Sequence, residues 1–152
     1  MKKILVLFFV IFVAMLCFSN NAFLEYLTQN AKCGEVRFYC LAKCGAGAVV
    51  KEIQNGASYE YISSVENAKN AFGSLNGCYG YSVHFENTEK LDEILKKVCV
   101  LKVENVGGVT NYYGSVQGAV FFNFLGAQKI NVQIAVTNNA LVVGSPMILG
   151  SY

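Results

Sequence analysis

Charge is scarce in this sequence: 14% of its 152 residues are Asp, Glu, Lys or Arg, against about a quarter in an ordinary soluble domain. There is one histidine, His84, and one proline, Pro146. A single imidazole leaves one side chain whose unperturbed proton transfer falls near neutral pH. The basic residues are scattered. Without Lys2 and Lys3, which head the apolar leader, ten basic residues face ten acidic ones. A nucleic-acid binder draws most of its affinity from a basic stripe against phosphate, so no nucleic-acid partner is expected. Gly107-Gly108 precedes no phosphate-binding helix, and no nucleotide motif occurs. No CxxC pair, internal linker, low-complexity tract or repeat interrupts the chain.

The chain opens "MKKILVLFFVIFVAMLCFSNNA", two lysines followed by an apolar run over residues 4–18. That run is short of the roughly 20 residues that span a bilayer and matches the pattern of a secretory signal. Cleavage after Ser19 puts Cys17 and Ser19 at the −3 and −1 positions. Bulky Met15 and Leu16 before Cys17 argue against a lipid-attachment site. Residues 1–19 therefore read as a signal peptide or N-terminal anchor, and residues 20–152 as one domain. Its expected location is extracytoplasmic, secreted or tethered through residues 4–18, with no other membrane contact.

Beyond the leader, "AFLEYLTQNAKCG" reads as a short helix with Phe23, Leu24 and Leu27 on one side and Gly34 as its stop. "EVRFYCLAKCG" reads as a strand, and Asn55-Gly56 as a hairpin turn. Ser63 and Glu66 have the spacing of a capping box, ahead of a helix over 65–75 with Val65, Ala68, Phe72 and Leu75 on its apolar face. Tyr79, Tyr81, Val83 and Phe85 line one face of the next strand, leaving Ser82, His84 and Glu86 toward solvent. A second helix is predicted over 88–98, capped by Thr88, with Leu91, Ile94, Leu95 and Val98 as its buried stripe. Early Glu89, Asp92 and Glu93 and late Lys96 and Lys97 suit its dipole.

From Val100 onward the pattern is all strand, including "AVFFNFL", whose Phe121, Phe122 and Phe124 are expected in the core. "KINVQIAV" alternates Ile130, Val132, Ile134 and Val136 against Asn131, Gln133 and Ala135, the pattern of a strand covered on one side. Asn138-Asn139 turns the chain into "ALVVGSPMIL", and Pro146 places this last strand at a sheet edge. The element order predicts an α+β fold, a curved antiparallel sheet with two helices packed on one face.

"NYYGSV", "KINVQIAV" and the terminal "VGSPMILGSY" resemble the C-terminal part of YwmB-like proteins over about residues 75–152. These are exported Gram-positive proteins catalogued as TATA-box-binding-protein-like. Lys129, Asn131, Gly144, Ser145, Pro146, Met147 and Ile148 stand at the positions of the family's Lys-Asn-hydrophobic strand and its Gly-Thr-Pro ending. This chain is shorter, has Ser145 in place of threonine, and carries extra cysteines between Cys33 and Cys44. The resemblance implies a TATA-binding-protein-like sheet and an envelope or sporulation setting, and it brings no established activity.

Five cysteines follow the leader: Cys33, Cys40, Cys44, Cys78 and Cys99. An odd number leaves at least one unpaired within the chain. Cys33, Cys40 and Cys44 are the candidate disulfide or thiol residues. A Cys40–Cys44 bridge needs a turn or bulge at 41–43, because four residues of straight strand span roughly 13 Å. Their spacing does not match a zinc site, and no metal or cofactor is expected. A nucleophilic pair of His84 with Cys78 or Cys99 has no support from spacing. Neighbouring carboxylates such as Asp92 and Glu93 suit a solvated helix face better than a glycoside-cleaving pair. Tyr112, Tyr113, Asn131 and Pro146 are the candidate binding surface. The expected function is a non-enzymatic binding or assembly module of the cell envelope, with an unidentified envelope protein or ligand as partner. The alternative is a thiol-dependent enzyme or redox protein.

Overall fold

The computed structural model describes residues 22–31, 34–44 and 51–149; the leader, its cleavage position and Cys33 lie outside them. The described elements begin with α1 (Ala22–Asn30), β1 (Gly34–Cys40), β2 (Lys51–Asn55) and β3 (Ser58–Ser64). A 3-10 turn (Val65–Asn67), α2 (Ala68–Ser74), β4 (Cys78–Phe85) and α3 (Leu91–Leu95) follow. The remainder is β5 (Cys99–Val106), β6 (Val109–Ser115), β7 (Asn123–Leu125), β8 (Gln128–Ile130), β9 (Val132–Val136) and β10 (Leu141–Ser145). Eight strands form one antiparallel sheet in the order β2-β3-β1-β4-β10-β9-β6-β5, and β7 and β8 form a separate hairpin. The fold is α+β, as the element order predicts.

Alternation along each strand builds the core face. Register aligns Val36, Val83, Val143, Ile134 and Tyr112 across five neighbouring strands. Phe23, Leu24 and Leu27 of α1, Ala68 and Ala71 of α2 and Ile94 of α3 pack into the same cluster. Each valine or leucine buried there contributes about 1.5–3 kcal/mol. The predicted apolar stripes are thus the faces that bury, and α1 joins the two later helices on the core.

Other expectations need correction. The capping box does not form: β3 runs on through Ser64, and Ser63, held opposite Val36, donates its hydroxyl hydrogen to the Ser64 carbonyl. A 3-10 turn starts at Val65 with Ser64 at its N-cap and no side-chain cap, and the α-helix proper begins only at Ala68. The 88–98 helix shortens to Leu91–Leu95 with Lys90 at its N-cap, because its end tightens into i→i+3 bonds from Lys97 to Ile94 and Val98 to Leu95 before β5 departs. Thr88 contributes its carbonyl to the Leu91 N–H.

The largest correction concerns the last strand. Pro146 does not mark an edge, since β10 lies between β4 and β9. The proline follows the last ladder residue, after a cis Ser145–Pro146 bond, and is itself buried. Residues 146–149 then turn back across the face opposite the helices. A Cβ on Gly144 would come within 2.7 Å of the Ile148 nitrogen, so only glycine lets the tail pass there. The Ile148 N–H donates to Gln133 Oε1 at 3.0 Å. This explains why Gln133, predicted on an open side, is buried; Ala135 on the same side is buried as well.

Candidate functional site

Four arrangements of residues bear on chemistry. The first is a group of thiols. Cys40 ends β1 directly opposite Cys78 of β4, at a register irregularity after Tyr39. The chain bends at 41–42 and brings Cys44 back beside them. The Cys44 thiol donates to the Asn76 carbonyl at 3.3 Å and accepts from the Asn76 N–H at 3.3 Å, while the Cys44 N–H donates to the Tyr61 hydroxyl at 2.7 Å. A bend therefore does occur at 41–43, as a Cys40–Cys44 contact requires, yet Cys40, Cys44, Cys78 and Cys99 are all free thiols. The hydrogen bond to Cys78, followed by burial, pushes the Cys40 thiol far above its ordinary range. A thiol held protonated is a poor nucleophile. Cys33, the remaining candidate, lies outside the described residues, and Cys78, which sequence spacing does not single out, takes its place. The missed signal is register: only strand pairing sets position 40 against 78. No three His, Cys, Asp or Glu side chains among the described residues are grouped as metal ligands.

The second arrangement surrounds His84, which does not face solvent freely. Its Nε2 lies 3.1 Å from the Ser82 hydroxyl, and that hydroxyl lies 2.9 Å from the Tyr39 hydroxyl. Glu35 sits across the ladder from His84, but Arg37 Nε engages its carboxylate at 2.6 Å. Burial, then the Arg37 charge, lowers the His84 pKa to about 4. Serine, histidine and a carboxylate are all present, but Ser82 is fully buried, so its oxygen meets no substrate. Cys78 lies at the other end of β4 and Cys99 on β5, so the structure does not pair either thiol with His84.

The predicted binding residues form the third. Tyr112 packs against the core, while Tyr113 follows on the opposite face; both are half-buried. Asn131 is engaged structurally: its Oδ1 accepts from the Val116 N–H at 2.8 Å and its Nδ2 donates to the Val116 carbonyl at 2.9 Å. These bonds extend the β6–β9 pairing one step beyond Gly114–Val132. Pro146 is buried. These four residues do not converge on one exposed patch.

The exposed apolar surface, the fourth, lies elsewhere. Phe121 joins the core with Phe72 and Tyr81, but Phe122 and Phe124 are 54% and 59% exposed, edge to face at 6.0 Å on the β7–β8 hairpin. The expectation that all three are core fails, because 119–122 pair with no strand and β7 reaches only Asn123. Lys129 Nζ sits 3.9 Å over the Phe122 ring. The second exposed region is β5, one of the two edges of the main sheet. Val100, Leu101, Val103 and Val106 are all exposed along it, Val103 at 53% and Val106 at 65%. The other edge, β2, is shorter and polar, "KEIQN", with Glu52 paired to Lys43 at 3.4 Å. Charged residues on a short strand are how sheets protect their edges, whereas a long apolar edge invites another strand.

Compared with known protein families, curated proteins and solved structures, the chain matches none.

Proposed function

We propose that the protein is an exported, non-enzymatic binding or assembly module of the Gram-positive cell envelope, and that it works by accepting a strand at β5. The observation that carries this reading is the contrast between its two sheet edges: β2 is short and charged, whereas β5 runs eight residues with four exposed aliphatic side chains. In strand addition, main-chain hydrogen bonds supply affinity and alternate side chains supply specificity. The resemblance to YwmB-like proteins supports an extracytoplasmic setting with residues 1–19 as leader or anchor, and a TATA-binding-protein-like curvature of the sheet. Formal neutrality without the leader lysines speaks for a protein partner over nucleic acid.

The thiol-enzyme alternative asks for an accessible, low-pKa sulfur; Cys40 is buried and shifted the other way. One complementation experiment separates the two. Val106 and Val109 flank the two-residue Gly107-Gly108 turn, so that pair exchanges hydrogen bonds and the backbone N–H of Val103 points away from β6. Val103→Pro therefore removes an outward donor without touching the existing ladder. In cells lacking the native chain, Val103→Pro is expected to lose function, while Cys40→Ala with Cys78→Ala retains it. The reverse pattern would establish the thiol reading.

A further inference from the structure

The β5 edge has a further property, in the order of its residues. "VLKVENV", 100–106, is self-complementary when two copies run antiparallel. With Val103 opposite Val103, Lys102 of each copy faces Glu104 of the other, Val106 falls opposite Val100, and Asn105 opposite Leu101. Parity agrees with this centre. Outward backbone groups belong to Val103 and Asn105, so a Val103–Val103 pair exchanges hydrogen bonds between copies. The Lys102–Glu104 pairs then occupy the closer, non-hydrogen-bonded positions, where Cα atoms approach to about 4.5 Å.

Side-chain faces agree as well. Val103 shares a face with its ladder partner Tyr112, which packs against the core, and is itself 53% exposed. A second Val103 would cover it. Lys102 and Glu104 lie on the other face and already form an ion pair within the chain. The one register irregularity of the β5–β6 ladder falls at Leu101, two residues from the proposed centre.

Resting on the reading of β5 as a docking edge, we propose that its occupant is a second copy of this chain. Two β5 strands pair antiparallel about a two-fold axis at Val103 and join two eight-stranded sheets into one. The interface is isologous, so each charge contact occurs twice.

The test uses the full chain as its host processes it, purified under two different tags. The unsubstituted protein is expected to sediment as a concentration-dependent dimer. Lys102→Glu and Glu104→Lys each place like charges opposite one another twice, weakening association by roughly tenfold to a hundredfold. An equal mixture of the two variants restores opposite charges across the axis and is expected to associate as tightly as the parent. In a Cys99→Ala background, Val103→Cys is expected to form an intermolecular disulfide with oxidised glutathione, because the two sulfurs face each other. Association of either single variant at parental strength, or a mixture that stays monomeric, overturns the self-pairing. If the parent is monomeric while Val103→Pro still abolishes function in cells, the edge takes a strand from another protein. If Val103→Pro is also silent, the edge reading itself falls.

Discussion

Burial, then the neighbouring Arg37 charge, keeps the single histidine neutral in the folded protein, with its pKa lowered to about 4 from the ordinary 6.5. Glu35, across the ladder, acts in the other direction but is itself held by Arg37. The unfolded chain takes up a proton below about pH 6.5 that the folded chain refuses until about pH 4. The unfolded state thus binds more protons in that window, and stability falls as pH falls through it. The shift corresponds to at most about 3 kcal/mol, and to about 1–2 kcal/mol once the partial exposure of the ring is allowed for. Urea titrations across this window are expected to show a falling midpoint that is shallower in His84→Gln. Equal slopes in the two proteins would remove His84 as the cause. The thiols make a second prediction at this scale. Brief alkylation of the native protein should label exposed Cys99 first and the half-buried Cys78 more slowly, with Cys40 and Cys44 labelled only after unfolding. Peptide mapping reads the order, and rapid labelling of Cys40 would contradict its burial. From sequence, His84 is legible as the sole imidazole. Its solvation is not, because Arg37 and Glu35 act on it from a different strand and Tyr39, on that strand, holds its Ser82 partner.

At the scale of elements, the C-terminal tail departs most from what the residue pattern implies. A strand that ends in proline looks like an edge, and "KINVQIAV" looks one-sided. The structure reverses both, because residues 146–149 fold back over β9 and β10, and Gly144 is the gap through which they pass. Gly144→Ala is expected to cost about 1–3 kcal/mol, the usual effect of forcing a methyl group into a closed contact. It should also expose the Ile148 amide, now bonded to Gln133, to hydrogen exchange. A parental urea midpoint with an unchanged Ile148 amide would show that the tail does not bear on the sheet there. Helices and turns were more readable than tails. The Asn55-Gly56 hairpin and the apolar stripes of Phe23, Leu27, Ala68 and Ile94 are local patterns, and local patterns survive into the fold. Caps were less readable, since β3 keeps Ser63 in the ladder.

For the whole molecule, the deciding property is strand order. One edge is short and polar, while the other is long, carries four exposed aliphatic side chains and is self-complementary about Val103. A molecule that pairs through β5 gains stability by mass action, because unfolding then also breaks the dimer. Thermal unfolding of the parent is therefore expected to shift upward with concentration, and that of Lys102→Glu much less. An eight-residue strand pairing buries less than the roughly 1,600 Å² of a standard interface, so the association is expected to be reversible.

Sequence alone determined the class of fold, the apolar stripes of the helices and the even balance of charge beyond the first lysines, since each depends on composition or on spacing within one segment. Tertiary structure decided which cysteine stands beside Cys40, how far His84 is desolvated and which strands form the edges. Those depend on pairings between residues distant along the chain, such as Cys40 with Cys78 and β10 with β4. Lys102, Val103 and Glu104 were in plain view from the start. Their symmetry acquires meaning only when β5 lies at an edge, because a strand paired on both sides has no free hydrogen bonds to offer a second copy.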